Sequence, residues 1–197
     1  MKRLLWSLWV LLSLGVSPTW AGQYEDGVAA HERGDYVNAM RLLRPLALQG
    51  NAAAQTDVGI MHMLAQGVSE DYEEALKWFR LSAEKGVAAA QSNLGAMYER
   101  GWGVPQDYKE AAKWYRLAAA QGAWGAQIML GAMYANGRGV AKDYVRAHMW
   151  FNLTAAQGNS DAVRNRDLTA QKMTSQQIAK AQEMARRCKA SKYKQCD

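Results

Sequence analysis

The sequence repeats itself every 36 residues. The dipeptide Asp-Tyr recurs at this interval four times, beginning at Asp35, Asp71, Asp107 and Asp143. Segments 71–106 and 107–142 are identical at 20 of 36 aligned positions without a gap. A period of this length is typical of solenoids, in which each unit is too small to bury a core alone and packs on its neighbours. The repeat therefore restricts the chain to an array of stacked units.

Each unit has the pattern of two helices. Within 71–85 the apolar residues follow helical spacing, at Tyr72, Ala75, Leu76, Phe79 and Ala83. Asp71 is a good N-cap, and Glu74 stands where a capping box places its glutamate; Asp107 and Glu110 repeat the pair. A second helix is predicted over 88–100, before a glycine-rich loop. The sequence therefore predicts an all-α fold.

The pattern weakens at both ends of the array. Pro45 lies inside the first helix of the first unit, where it should kink or shorten that helix. After Gly158 the signature of a second helix is lost, and an amphipathic segment from 175 to 188 is predicted to cap the stack. We therefore divide the chain into a signal segment 1–21, a solenoid 22–190 and a basic C-terminal tail 191–197. The units are placed at about 35–70, 71–106, 107–142 and 143–158, followed by the cap.

The unit at 71–106, DYEEALKWFRLSAEKGVAAAQSNLGAMYERGWGVPQ, resembles the Sel1-like repeat, a relative of the tetratricopeptide repeat. The resemblance implies a right-handed α-solenoid of antiparallel helix pairs, with about four units and a capping helix. It also implies a scaffold or adaptor that binds other proteins rather than an enzyme. Some cysteine-rich members are described as binding or hydrolysing β-lactams, but the repeats here contain no cysteine. That difference counts against the activity, and a β-lactam-binding or weakly hydrolytic protein is kept as the alternative.

The N-terminus is typical of an export signal. Lys2 and Arg3 precede a mostly apolar run at 4–16, and Ala21 provides a small residue at the cleavage position. The run is shorter than the roughly 20 residues that span a bilayer, so no transmembrane segment is expected. The alternative to cleavage after Ala21 is that the segment stays on the protein as an uncleaved anchor. The predicted location is the periplasm or the exterior of the cell.

Two columns of basic residues recur on the first helix of successive units. The columns consist of Arg41, Lys77 and Lys113, and of Arg44, Arg80 and Arg116. Because they are three residues apart, they lie on one helix face and would align when the units stack. They are the candidate groove for an acidic peptide segment, or for an acidic envelope polymer. A solvated surface is the alternative interpretation.

Three tryptophans, Trp78, Trp114 and Trp150, share one column inside the apolar stripe, and we expect them to pack between units. Trp102 and Trp124 fit no column, so an exposed member of this pair would be a candidate anchor for a partner. The histidines His31, His62 and His148 do not have metal-ligand spacing, and packing roles are expected. No catalytic, cofactor or metal site is predicted. The formal charge of +6 is too small to indicate nucleic acid, and a monomer is expected.

Cys188 and Cys196 are the two cysteines of the chain. An even count behind an export signal favours a disulfide over two free thiols. If a helix ran through both residues, the rise of 1.5 Å per residue would hold them about 12 Å apart. The bridge therefore requires the last helix to stop soon after Cys188.

Overall fold

The computed structural model describes residues 20–194 and Cys196, and these residues form ten helices and no strand. The helices are α1 (Trp20–Glu32), α2 (Tyr36–Leu48), α3 (Ala52–Met63), α4 (Tyr72–Glu84), α5 (Ala88–Arg100), α6 (Tyr108–Ala119), α7 (Trp124–Asn136), α8 (Tyr144–Ala155), α9 (Ser160–Ala170) and α10 (Ser175–Ala190). Most of the predicted signal segment, residues 1–19, lies outside the described residues. The all-α prediction is confirmed.

The helices pack as a one-dimensional stack. From α1 to α9 each helix contacts the next along the chain, and α10 folds back onto α8. We call α2, α4, α6 and α8 the first helices, and α3, α5, α7 and α9 the second helices. The core is correspondingly divided into clusters between neighbouring pairs, as expected when each unit is stabilised by its neighbours.

The start of each first helix is set by an aspartate. The Asp71 carboxylate accepts a hydrogen bond from the Glu74 backbone N–H at 2.9 Å, and Asp107 does the same for Glu110 at 3.1 Å. The predicted capping box is only half formed, because the Glu74 carboxylate accepts from Lys77 one turn later instead of from the cap. A full capping box occurs at α10, between Thr174 and Gln177.

Buried glutamines close the opposite ends of the first helices. Gln55, Gln91 and Gln127 donate from their side-chain amides to backbone carbonyls eight residues earlier, at 3.0, 3.1 and 3.3 Å. These carbonyls belong to the last turn of a helix, and each also accepts from the backbone N–H of the glycine three residues later, Gly50, Gly86 or Gly122, at 3.0 Å. The recurring glutamine therefore adds a second donor to a carbonyl at the helix end, and its own buried amide gains a partner.

Successive units meet at a glycine and an aromatic ring. A Cβ built on Gly59, Gly95 or Gly131 would lie 2.7–2.8 Å from a ring carbon of Phe79, Tyr115 or Phe151, respectively. Each glycine is on a second helix, and each ring is on the first helix of the following unit. The absence of a side chain lets the two helices approach, which explains a residue that costs about 1 kcal/mol of helix propensity.

A second group of glycines lies in the loops that end each unit. Gly67, Gly103 and Gly139 have φ values of +72, +66 and +68°. A Cβ on any of them would overlap the backbone of the tyrosine that opens the first helix of the same unit. Both the left-handed backbone and the close approach exclude larger residues, so the loop closes onto its own unit.

Two expectations about helix ends need correction. Helix α2 runs through Pro45 and has 13 residues, as many as α4, so the proline does not shorten it. Pro45 is in the last turn, where one missing hydrogen bond is tolerated more easily than in the middle of a helix. The cap extends to Ala190, two residues beyond its predicted end.

The chain reverses directly after α10. Lys192 and Tyr193 adopt φ values of +52 and +66°, and the Tyr193 N–H donates to the Cys188 carbonyl at 2.8 Å. This reversal brings the Cα atoms of Cys188 and Cys196 to 4.5 Å, and the two residues form a disulfide. Both cysteines are buried in the core cluster that includes Trp150 and Ala185. The bridge therefore ties the end of the chain to the last units.

Reducing this disulfide is expected to lower the free energy of unfolding by about 2–3 kcal/mol, since it closes a short loop of the unfolded chain. Chemical denaturation with and without reductant measures the change. Mass spectrometry of the protein purified without reductant should detect no alkylatable thiol. Two alkylatable thiols in that sample would show that the bridge is not formed in the cell.

Candidate functional site

The six residues of the two basic columns lie on α2, α4 and α6, and several of them have partners within their own units. Lys77 donates to Glu74 at 3.1 Å, Lys113 pairs with Glu110, and Arg41 donates to Asn38 at 2.8 Å. Arg80 and Arg116 each donate to a tyrosine hydroxyl on the following second helix, at 3.0 Å. Arg44 is exposed on α2.

These partners change what the columns can do. The hydrogen bond and charge of Glu74 raise the pKa of Lys77, and Glu110 has the same effect on Lys113, so both remain cations at neutral pH. Exposed pairs of this kind contribute little to stability, so a stronger acidic partner could displace the glutamates. The columns are therefore a partly neutralised surface rather than a continuous positive groove.

A cavity lies beside the last two first helices, at the C-terminal end of the stack. The cavity has a volume of about 660 Å³ and lies between α6, α8, α10 and the disulfide loop. Arg116, Arg187 and Lys194 contribute positive charge to its wall. Of the six residues in the basic columns, Arg116 is the one that lines this cavity, together with Arg187 and Lys194.

The second helices carry a cavity that sequence reasoning did not identify. It has a volume of about 480 Å³ and is lined by residues of α5, α7 and α9, so it crosses three consecutive second helices. We call it the second-helix groove. Its apolar floor includes Ala96, Ile128 and Met129. This volume is within the range of about 300–1,000 Å³ that ligand sites occupy.

Trp124 stands at the edge of the second-helix groove with 58% of its surface exposed. A second cavity, of about 210 Å³, is also lined by Trp124 and involves the loop from Gln157 to Asn159. A largely exposed indole beside concave surface is unusual, since tryptophan is highly buried on average. By contrast, Trp78 and Trp150 are buried in the core, as their column predicted, and Trp114 packs on a core cluster.

The rim of the second-helix groove is polar. Among the described residues, the side-chain amides of Asn93 and Asn165 make no hydrogen bond with the protein, so their donors and acceptors are available to a ligand. The Arg100 guanidinium lies 4.5 Å from the centre of the Trp102 ring and forms no ion pair with the described part of the chain. Arg164, in contrast, is paired with Asp161 at 2.9 Å.

Tyr115 forms part of the groove wall and is fixed in position. Its hydroxyl donates to Glu99 at 2.8 Å, and the ring is 2% exposed. Burial raises the pKa of Tyr115 above its usual range, and the charge of Glu99 raises it further, so the hydroxyl stays protonated. This hydrogen bond fixes the side chain of Tyr115 at the wall of the groove.

The sequence contains one signal for the second-helix groove, which is Trp124, the candidate anchor that fits no column of aromatic residues. It stands where Ala52 and Ala88 begin the second helices of the earlier units. Met129 likewise replaces the polar residue that occupies this column as Asn93 and Asn165. Positions at which one unit differs from the others, such as Trp124 and Met129, therefore indicate a surface that is specific to that unit.

Another polar cluster joins α1 to α3. The Tyr24 hydroxyl donates to Asp57 at 2.8 Å, and His31 shares a hydrogen bond with Gln66 at 2.8 Å. Burial raises the pKa of Tyr24 to about 12 and raises that of Asp57 above its usual value. The adjoining cavity of about 60 Å³ has room for a few water molecules only. We assign this cluster to holding α1 in place.

The histidines do not assemble with other ligands. Within residues 20–194 and Cys196, no group of three or more His, Cys, Asp or Glu side chains is placed to hold a metal ion. His148 is 3% exposed, and burial lowers its pKa, as does the charge of Arg166 to a smaller extent. Its ring is therefore neutral at pH 7. No helix in the described part of the chain is both long and apolar enough to cross a bilayer.

Known proteins share this architecture. The model of the Sel1 repeat matches residues 20–51, 52–87, 88–122 and 124–159, which together exceed half of the chain. Each matched segment begins with α1 or a second helix, whereas the units defined above begin at a first helix. No curated protein matches the chain.

Two solved structures are similar. A Sel1 repeat protein from Oxalobacter formigenes is 39% identical, with a TM-score of 0.59, covering 64% of this chain and 94% of its own. A protective antigen of uropathogenic Escherichia coli strains, which displays an SLR fold, is 28% identical with a TM-score of 0.62. That comparison covers 88% of this chain but 47% of the antigen, so this chain spans about half its length.

Proposed function

The chain belongs to the Sel1 repeat family, and on that premise we propose that it is an exported, non-catalytic scaffold that binds a protein partner in the cell envelope. Repeats of this kind mediate protein–protein interaction. A partner in the cell envelope is supported by the sequence pattern at 1–21, which is typical of an export signal, and by the disulfide, since disulfides persist in oxidising compartments.

The observation that carries the proposal is the exposed indole of Trp124 beside the second-helix groove. Tryptophan is enriched among the residues that contribute most to protein interfaces. The apolar floor and polar rim of the groove also match the usual arrangement of an interface, with an apolar centre and a wet periphery. We place the principal contact here.

The basic columns on the first helices are proposed as a second contact, for acidic segments of the same partner. Their exposed ion pairs cost little to exchange, and the cations around Arg116 strengthen the field at one end. Attraction between surface charges is screened by salt, so this contact should weaken as ionic strength rises. The principal contact should not.

Capture from the native envelope tests the proposed function. With the protein as bait, Trp124→Ala should lose the captured partner, because it removes the exposed anchor without disturbing a buried contact. Leu48→Ala is the matched control, since Leu48 is 63% exposed on α2 and lines none of the cavities described above. Equal capture by both variants would contradict the proposed face, and no specific capture by the parent protein would contradict the scaffold function.

The same capture distinguishes the second contact. The combined variant Lys77→Glu, Arg80→Glu and Lys113→Glu is expected to weaken capture several-fold and to reduce its dependence on salt. Circular dichroism should show unchanged helicity, because all three side chains are exposed. Unaltered salt dependence in this variant would exclude the basic columns from the interface.

A further inference from the structure

We infer that the cavity of about 660 Å³ at the C-terminal end of the stack binds a phosphate monoester that carries an apolar group. We call it the C-terminal cavity; it lies between α6, α8, α10 and the loop that the disulfide closes. Its volume is typical of small-molecule sites. It shares no lining residue with the second-helix groove, so this ligand is separate from the protein partner proposed above.

Two cations of the C-terminal cavity have no counter-charge. Arg187 on α10 and Lys194 in the loop form no ion pair and no side-chain hydrogen bond with the described part of the chain. The neighbouring Arg186, in contrast, is paired with Glu183 at 2.6 Å. An anion that enters the cavity would therefore supply the charge that Arg187 and Lys194 lack.

The charge of these residues favours phosphate over carboxylate. A phosphate monoester has three terminal oxygens and a charge of roughly −1.5 to −2 at pH 7, whereas a carboxylate has two oxygens and a single charge. The Arg187 guanidinium can hold phosphate through two parallel hydrogen bonds, and the Lys194 ammonium can contact it as a point charge. Arg116 adds positive charge from α6, where its hydrogen bond to Tyr134 at 3.0 Å orients the guanidinium.

The wall of the cavity formed by α6 and α8 is apolar. Leu117 lies on α6 with 49% of its surface exposed, and Ala120 and Trp150 lie beside it on the wall. Covering an exposed leucine with an apolar group removes both from water, which is favourable. The apolar group of the ligand therefore belongs against α6 and α8, and the phosphate belongs near α10 and the loop.

Trp150 provides a further indication of a ligand. Its side chain is 1% exposed, and its indole N–H has no hydrogen-bond partner within residues 20–194 and Cys196. Buried donors are nearly always satisfied, and each exception in a native structure needs an explanation. Trp78, in the same column, also lacks a partner but lines none of the cavities described above. At Trp150 the adjoining cavity has room for a polar atom, either of an ordered water or of the ligand.

The disulfide holds the loop side of the cavity in place. The Tyr193 ring packs against the end of α6, where a Cβ built on Gly122 would lie 3.1 Å from it. Cys196, which also lines the cavity, is tied to Cys188. Lys194 therefore lies between two fixed residues, and its position depends on the bridge. Binding of the phosphate should consequently depend on the oxidation state of the two cysteines.

Isothermal titration calorimetry with hexyl phosphate at pH 7 tests the inference. Inorganic phosphate lacks the apolar group and hexanoate lacks the second charge, so each should bind at least about 10-fold more weakly than hexyl phosphate. The double variant Arg187→Gln, Lys194→Gln should weaken binding of hexyl phosphate to a similar extent. The matched control is Arg186→Gln with Lys180→Gln, which removes two exposed cations of α10 that do not line the cavity. It should keep the affinity of the parent protein.

The apolar wall and the loop are tested separately. Leu117→Asn should weaken binding of hexyl phosphate several-fold without affecting inorganic phosphate. Leu81→Asn is its control, because Leu81 occupies the same column on α4, is 44% exposed and lines none of the cavities. Reduction with dithiothreitol should also weaken binding several-fold, while circular dichroism shows that the helices are retained. Unchanged affinity after reduction would exclude the loop from the site.

The inference is wrong if hexyl phosphate does not bind, if hexanoate binds as tightly, or if the two double variants have equal affinity. Vesicles that contain phosphatidic acid identify the source of the phosphate. Sedimentation of the protein with these vesicles, lost in Arg187→Gln, Lys194→Gln, would indicate a lipid headgroup, and binding of hexyl phosphate alone would indicate a soluble ester. Trp124→Ala should bind hexyl phosphate like the parent protein, so failure of this site and failure of the scaffold function are distinguishable.

Discussion

Replacing Gly103 with alanine is expected to lower the free energy of unfolding by about 3 kcal/mol. The backbone of Gly103 has a φ of +66°, where an alanine costs about 1–2 kcal/mol. In addition, the new Cβ would lie 2.6 Å from the Tyr72 carbonyl carbon, and backbone atoms cannot move aside without displacing the start of α4. Overpacking of this kind adds roughly 1–3 kcal/mol. Thermal and denaturant unfolding measure the loss.

Gly86→Ala separates the two causes. Gly86 also has a left-handed backbone, with a φ of +89°, but a Cβ at this position would meet nothing within 4 Å. Only the conformational cost remains, so we expect a loss of about 1 kcal/mol. Equal losses at Gly86 and Gly103 would show that the close approach of the loop to Tyr72 does not contribute to stability.

Gly95→Leu is expected to destabilise the protein by about 3 kcal/mol, because it inserts a side chain into the joint between two units. A Cβ on Gly95 would lie 2.8 Å from the Tyr115 ring, and that ring is buried and held by its hydrogen bond to Glu99. The ring therefore has no alternative position, and α5 and α6 must separate. Differential scanning calorimetry should show a lower midpoint.

Gly125→Leu is the control for this substitution. Gly125 is also helical, in α7, but a Cβ at this position would meet nothing within 4 Å. Since leucine has a better helix propensity than glycine, the thermal unfolding midpoint of this variant should remain unchanged or rise. If Gly95→Leu is as stable as the parent protein, the glycine–aromatic joint does not determine how closely the units pack.

The repeat predicted the helices well, because the same apolar spacing, caps and glycines recur in every unit. Helix α5 has its predicted bounds at residues 88 and 100, and α4 begins directly after the predicted cap, Asp71. Pro45 was misjudged because its effect depends on how near the helix end it lies. The sequence could not show that the capping boxes are half formed, because the Glu74 carboxylate can accept a hydrogen bond either from the backbone at the helix start or from Lys77.

The candidate site was less accessible to sequence reasoning. The basic columns could be placed on one helix face, but their hydrogen bonds to tyrosines on neighbouring helices, such as Tyr98, depend on how helices pack. The second-helix groove combines residues from three helices that are far apart in the sequence. No single unit contains it, and its strongest feature, Trp124, interrupts the repeat instead of following it.

The joints between units also bear on how so repetitive a chain avoids pairing the wrong neighbours. Tyr115 is the one joint aromatic with a hydroxyl, and its acceptor, Glu99, occupies the column in which the other two joints have Met63 and Ala135. If the chain slipped by one unit during folding, the Tyr115 ring would fit against Gly59, but its hydroxyl would face Met63. A buried hydroxyl without a partner costs about 1–3 kcal/mol. The hydrogen bond between Tyr115 and Glu99 therefore forms only when the units pack in their correct order, and it favours that order over a shortened, misaligned stack.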